Sequence, residues 1–328
     1  MNVIFNKKYN HPYAITRVLI YLSAILSWIY FIYFFPNNGI DYESYLNIIQ
    51  RIEAGKRTFA EPGFVFFVKF LPLLSITPEN IVFLLRVMTI LLLLRFFWHA
   101  NYPLIGLLFC FLVPNIAFGT LNALQMWLAI SIGIQNYSKD LKPLSRWACI
   151  IIPLTIHFSA IIFLIIPIFQ FFSFMKNRTV FLVISLCSIM PITELLSKYL
   201  ISFTVYEKYL ATEITSVKPF VILVIFIFIF LNSIKLSKDR KIQEISKHGI
   251  LFTFFAGIIS VSLSLDSEMA LRYLNFCLPL FWVSFTGLVN CFKGMQKFSL
   301  LTTFVVLLSF NSLVFLSNLE KYNIGNLN

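Results

Sequence analysis

Apolar residues arrive in this chain in long, nearly unbroken blocks, and that feature narrows the possible folds more than any motif. Segments such as Val221 to Leu231 and Leu300 to Leu316 lack the spacing that turns one face to a core and the other to water. Blocks of this kind read as membrane spans, in which helices satisfy their own backbone polar groups. The balance of the chain agrees: 59% of its 328 residues are hydrophobic and only 12% are charged, far from the usual composition of a soluble domain. The expected fold class is therefore all-α, a polytopic transmembrane helical bundle of about nine to eleven spans. It forms a single integral membrane domain over residues 1–328.

Charge then orients the spans. Lys7, Lys8 and Arg17 precede the first block, Ile15 to Phe35, which is too long for a signal-peptide core and reads as a retained helix. Positive charge ahead of it places that end in the cytoplasm and the following segment, 37–61, outside. Dense Lys and Arg mark Ser138 to Arg146, Ser173 to Arg178, Lys235 to His248 and Cys291 to Lys297 as cytoplasmic loops. They share one side only if two segments do not cross. Phe64 to Leu74 is shorter than the roughly 20 residues of a simple span and is read as re-entrant from the outer side. Trp147 to Phe172 is read as a short helical hairpin, broken at Pro153, with its tip near His157 in the outer half. The remaining blocks give full spans at about 15–35, 80–97, 103–118, 121–137, 178–197, 219–234, 249–265, 273–290 and 298–316. The larger outer pieces are then 37–61 and 198–219. The net charge of +12 follows from the basic inner loops and calls for no nucleic-acid partner. Five cysteines, Cys110, Cys149, Cys187, Cys277 and Cys291, stand singly without metal-ligand spacing and read as packing residues.

Polar residues that survive in such a background are the candidates for chemistry. The first outer segment carries Asp41, Tyr42, Glu43, Tyr45 and Arg57, then Glu61-Pro62-Gly63-Phe64. Taken alone, its charges are a solvated connector. Glu61 stands apart: Pro62 suits a first helical position, so the carboxylate sits at the mouth of the re-entrant segment, either capping a helix or meeting a sugar hydroxyl. Arg86 lies about 9 Å into an apolar helix on a 1.5 Å rise. Snorkelling is the plain explanation, but an intramembrane charge usually faces a cavity or a partner, here an anion from outside. Asn122 and Gln125 share a helix face, where amides serve interhelical hydrogen bonds or a substrate. His157 is a candidate because the ordinary pKa of an imidazole suits general base work, although a lone histidine more often packs. Arg272 and Tyr273 follow Asp266 and Glu268 at a helix start, a diphosphate-binding arrangement unless Arg272 simply pairs with those acids. Each signal is weak alone; their convergence on one outer-facing, membrane-embedded pocket carries the weight.

In this order of motifs the chain resembles the EpsG family of polysaccharide polymerases, relatives of the Wzy-type O-antigen and capsule polymerases. The matching positions are Asp41 and Tyr45, Glu61-Pro62-Gly63-Phe64, the amide pair ending at Gln125, His157-Phe158-Ser159 and Arg272-Tyr273. Where the family commonly has Arg-Gln, this chain has Leu124-Gln125, so Arg86 or Arg57 would have to stand in. The resemblance implies a multi-pass protein of the bacterial cytoplasmic (inner) membrane with its active site facing outward. Its substrate would be an undecaprenyl-diphosphate-linked oligosaccharide, destined for O-antigen, capsule or exopolysaccharide. Membrane lipids, and a chain-length regulator, would be its partners. Transfer needs no cofactor and is expected to be metal-independent. His157, Asp41 and Glu61 are the candidates for the base; Arg272, Arg86, Arg57, Tyr45, Asn122, Gln125 and Tyr273 are those for holding substrate and diphosphate. Competing readings are a transporter or flippase of lipid-linked glycans and an O-antigen-ligase-like glycosyltransferase. Ion-coupled transport is disfavoured by the lack of mid-span carboxylates, whereas a ligase shares the same chemistry.

Overall fold

The computed structural model describes residues 42–56, 58, 60–71, 76–100, 123–137, 142–172, 218–262 and 267–297, with isolated positions near either end. For residues 169–172, 218–220, 259–262 and 267–272 it describes the backbone alone. Among the described residues every regular element is helical. In chain order these are α1 (Tyr42–Glu53), α2 (Pro62–Phe70), α3 (Pro78–His99), α4 (Leu124–Gly133), α5 (Pro143–Ile156), α6 (Ile165–Phe172), α7 (Lys218–Leu236), α8 (Arg240–Ser262) and α9 (Ser267–Val289). Two 3-10 segments, Ile134–Tyr137 and Phe158–Leu164, continue α4 and follow α5. The expected spans at 15–35, 103–118, 178–197 and 298–316, and nearly all of the segment 198–219, lie outside the described residues.

Segment 37–61, expected as an outer loop, carries a helix. Tyr42, Tyr45, Ile49 and Ile52 fall on one face of α1 and are buried, while Glu43, Ser44, Arg51 and Glu53 on the other are exposed, the pattern of an amphipathic surface helix. A Schellman turn ends it. Lys56 N–H donates to Arg51 C=O at 2.8 Å, Gly55 N–H donates to Ile52 C=O at 3.1 Å, and Gly55 takes the left-handed φ of 67° that costs glycine little. The 9-residue α2 spans only about 13 Å. It is too short to cross a bilayer, which fits the re-entrant reading of this segment.

Helix α3, 22 residues long and so about 33 Å, is the one described helix long and apolar enough to cross a membrane by itself. Shorter apolar stretches occupy Pro143–Ile156, Phe158–Ile168, Val221–Leu236 and Tyr273–Val289. The expected break at Pro153 is not where α5 ends: proline sits inside the helix, at the loss of one backbone hydrogen bond, and the chain leaves the helix at His157, with φ −151° and ψ 125°. Likewise, the basic stretch Lys235 to His248, expected as a loop, is helical from Arg240. Asp239 starts it, its Oδ1 accepting from Lys241 N–H at 2.9 Å, a standard N-cap.

The elements form two groups. Helix α1 packs on α2 and α3, α2 on α5, and α4 on both α3 and α5. Helices α7, α8 and α9 pack on one another, joined by Ser246 Oγ, which lies 3.1 Å from Ser233 Oγ and 2.8 Å from Ser284 Oγ. Small hydroxylic residues let apolar helices approach closely and bond across the interface. The 3-10 segment 158–164 links the groups, Phe163 meeting Phe252 and Phe276 edge-on at 5.6 Å. Of the described cysteines, Cys277 is buried as expected for a packing residue, but Cys291 is exposed.

Candidate active site

The site begins with a local rule at residue 61. Pro62 occupies the first helical position of α2, and Glu61 precedes it in an extended conformation with no side-chain bond to the helix. Its carboxylate does not cap α2 but reaches across to the 3-10 segment that follows α5, where Oε1 accepts from the backbone N–H of Phe158 at 3.4 Å. Two segments 97 residues apart in sequence thus meet at the Glu61 carboxylate and the turn after His157. Burial pushes the Glu61 carboxyl above the usual carboxylate range, opposed by the backbone N–H groups of Glu61 itself and of Phe158. A carboxylate held this way is a better proton acceptor than one in water.

What brings α2 so close is Gly63. A Cβ there would lie 2.6 Å from Thr155 Cβ and 2.7 Å from the Thr155 carbonyl carbon, so the approach leaves no room for a side chain. One residue on, Phe64 is buried and its ring lies 6.2 Å from that of Tyr45.

His157 is 8% exposed and closes α5. Its Nδ1 accepts from Ser159 N–H at 3.2 Å. A backbone N–H can only donate, so Nδ1 carries the lone pair and the neutral ring bears its proton on Nε2. In that tautomer histidine is a hydrogen-bond donor at Nε2, which bears on its expected role as a base. The 3-10 run that follows is 7 residues long, longer than such helices usually persist.

Arg86 lies about two turns beyond Pro78 on α3 and is 1% exposed. Its guanidinium carbon stands 5.3 Å from the centre of the Tyr42 ring, within cation–π range. Tyr42 itself has its pKa raised, first by burial and then by Glu79 and Glu43, against the opposing pull of Arg86. It therefore stays a neutral phenol at physiological pH. One turn along α1, Tyr45 Oη accepts the Gln125 backbone N–H at 3.4 Å. That N–H is among those left without an intrahelical acceptor at the start of α4. The Gln125 Nε2 amide is buried and without a hydrogen-bond partner among the described residues.

The structure therefore joins Tyr45, Glu61, Arg86, Gln125 and His157 through one connected set of elements, α1 to α5. Tyr273 stands on α9, outside that set of elements. It is buried there between Phe255, at 6.0 Å, and Phe276, at 6.5 Å, and Phe276 touches the 158–164 segment through Phe163. Arg272 falls in the first turns of α9; its side chain is outside the description, as are Asp41, Arg57 and Asn122 altogether. Sequence reasoning named Tyr42 and Gly63 but gave neither a role of its own, and it missed Thr155 and the Phe158 N–H. Tyr42 had a signal, since it shares the spacing of Tyr45, Ile49 and Ile52; the Phe158 N–H had none. Among the described residues no group of three His, Cys, Asp or Glu side chains is arranged to hold a metal ion.

A model of the family described as EpsG matches residues 18–326. Nothing matches among curated proteins or among solved structures.

Proposed function

The chain belongs to the EpsG family, and from that premise we propose that it is a polysaccharide polymerase of the bacterial cytoplasmic membrane, working on the outer side. Its substrate on this reading is an oligosaccharide repeat unit carried on undecaprenyl diphosphate. The reaction moves the growing glycan from its carrier to the terminal sugar of a newly arrived unit. An acceptor hydroxyl oxygen forms a bond to the anomeric carbon of the donor chain; the bond from that carbon to the diphosphate oxygen breaks; undecaprenyl diphosphate leaves. The acceptor proton goes to the protein. No nucleotide, metal or covalent intermediate is needed, because the donor is already activated.

The observation that supports this reading is the contact of the Glu61 carboxylate with the Phe158 N–H, in the turn that follows His157. Of the candidate bases, Glu61 fits best: it is half-buried and its proton affinity is raised. His157, protonated on Nε2, suits the complementary task of donating to a substrate oxygen. Arg86 and the Gln125 amide supply donors for the departing diphosphate, and Arg272 is assigned to the same task from the α9 side. Arg86 thereby serves where family members commonly carry the arginine that Leu124 replaces here.

The test is reconstitution in lipid nanodiscs with lipid-linked repeat units. Chain growth supports the polymerase. Translocation without growth would identify a flippase, and transfer only to a different acceptor a ligase.

A further inference from the structure

Tyr42 has no part in the chemistry described so far, yet it is the aromatic partner of the most deeply buried charge in the site. We propose that Tyr42 is a positioning residue: its ring holds the Arg86 guanidinium in the orientation that receives the diphosphate. The inference rests on the assignment of Arg86 as a diphosphate donor.

Three observations carry it. The ring is 3% exposed and stands 5.3 Å from the guanidinium carbon, close enough for its π face to attract the charge in a desolvated setting. Tyrosine is also the right chemistry for holding an arginine without consuming it. A carboxylate in the same place would neutralise the charge, whereas an aromatic face attracts the guanidinium and leaves its charge in place for an anion. Finally, α1 sets a second group with the same turn of helix. Tyr45, three residues on, accepts the Gln125 N–H at 3.4 Å and so fixes the start of α4, where the buried Gln125 amide has unused donors among the described residues. One amphipathic helix, seated by Tyr42, Tyr45, Ile49 and Ile52, thus registers two anion-binding groups on two different helices.

The experiment measures binding of farnesyl diphosphate, a short polyprenyl diphosphate, to the full chain in nanodiscs. Wild type, Tyr42→Leu, Tyr42→Phe, Arg86→Ala and the double variant Tyr42→Leu/Arg86→Ala are compared. Tyr42→Leu should weaken binding about tenfold, the scale of a buried cation–π contact. Tyr42→Phe keeps the face and should stay within about twofold of wild type. Arg86→Ala should weaken binding about tenfold to a hundredfold. The double variant should bind no more weakly than Arg86→Ala alone, because a residue acting only through Arg86 has nothing left to act on. If Tyr42→Leu binds like wild type while Arg86→Ala does not, the positioning role is wrong and Arg86 keeps its assignment. A full additive loss in the double variant also overturns it, because a purely structural role for Tyr42 would persist without Arg86. Wild-type binding by Arg86→Ala, or no binding by wild type, would instead refute the diphosphate reading underneath. Should Tyr42→Leu fail to yield monodisperse protein, Tyr42→Met removes the face at similar volume and is judged by the same outcomes.

Discussion

Gly63→Ala is the smallest change that separates the two halves of the candidate site. The added Cβ would lie 2.6 Å from Thr155 Cβ and 2.7 Å from the Thr155 carbonyl carbon, against an ordinary carbon–carbon separation of roughly 3.5–4.0 Å. Helix α2 must therefore withdraw from α5 by about 1 Å to restore contact distance. The Glu61–Phe158 bond already stands at 3.4 Å, near the limit of a useful hydrogen bond, and a withdrawal of that size breaks it. Overpacking of this kind typically costs about 1–3 kcal/mol of stability, which a folded membrane bundle can survive. A misplacement of about 1 Å in a reacting group, by contrast, can cost about a hundredfold in rate. The expected result is a protein that inserts and purifies normally but makes at most about 1% of wild-type polymer, read as loss of the ladder of long chains with single repeat units accumulating. Thr155→Ala alone should be mild, because the Thr155 hydroxyl bonds only locally to Ile152 C=O at 2.8 Å. Combining it with Gly63→Ala should not restore activity, since the obstructing Cβ and carbonyl carbon remain. A normal ladder from Gly63→Ala would refute the claim that this approach sets the position of Glu61.

Further outcomes follow from the site geometry and from the expected topology. Glu61→Gln should cut the transfer rate by about 10²- to 10⁴-fold. Because the folded-state pKa of Glu61 is raised by burial, its linked contribution to stability is present at low pH and is lost as pH rises through that pKa. Glu61→Gln should therefore unfold at a higher temperature than wild type near neutral pH, with the advantage fading in acid; equal melting at every pH would speak against a perturbed carboxyl. Wild-type activity should rise with pH through the same ionisation. His157→Asn, which keeps an acceptor for Ser159 N–H but loses the Nε2 donor, should match wild type in thermal stability and lose most activity, whereas His157→Ala loses both; an active Asn variant would remove the donor role. Arg272→Lys should be partly active and Arg272→Ala inactive, since lysine keeps charge without the planar fork; full ladders from Arg272→Ala would withdraw its diphosphate assignment. In a cysteine-free background, an impermeant thiol reagent added outside should label cysteines at Ser44 and Ser267 and spare those at Ser138 and Ser237, and the reverse pattern would invert the topology.

Much of the helical architecture was legible because its determinants are local. The apolar block in α3, proline at the first position of α2 and the short length of Phe64 to Leu74 are each properties of a few neighbouring residues, and the helices observed there agree with them. The misreadings have local causes too. Pro153 looked like a break, but losing one donor does not end a helix whose other bonds remain; the chain turns at His157, where the side chain accepts Ser159 N–H and offers the backbone an alternative to the helical bond. Lysines and arginines in Lys235 to His248 suggested a loop, although basic residues are good helix formers and Asp239 supplies a cap. In the segment 37–61 mixed charge concealed an amphipathic pattern that Tyr42, Tyr45, Ile49 and Ile52 display at helical spacing.

The candidate site was legible to a different degree, residue by residue, according to what each side chain costs. Arg86 could be singled out because a buried charge in an apolar helix is expensive and must be repaid by something it binds. Glu61 and His157 were placed on one side only through the parity of charged loops, which fixes a face of the membrane but not a distance. What joins them is a main-chain N–H at Phe158, and every residue except proline carries one of those, so no sequence pattern marks it. The role of Tyr42 is hidden for a related reason: helical spacing marks it as a buried residue of α1, but in a chain with 17% aromatic residues nothing marks its ring as the partner of a guanidinium. The charged members of such a site are readable from sequence, while the neutral groups that hold them in register, a backbone N–H, a glycine and an aromatic face, emerge only when distant helices are brought together.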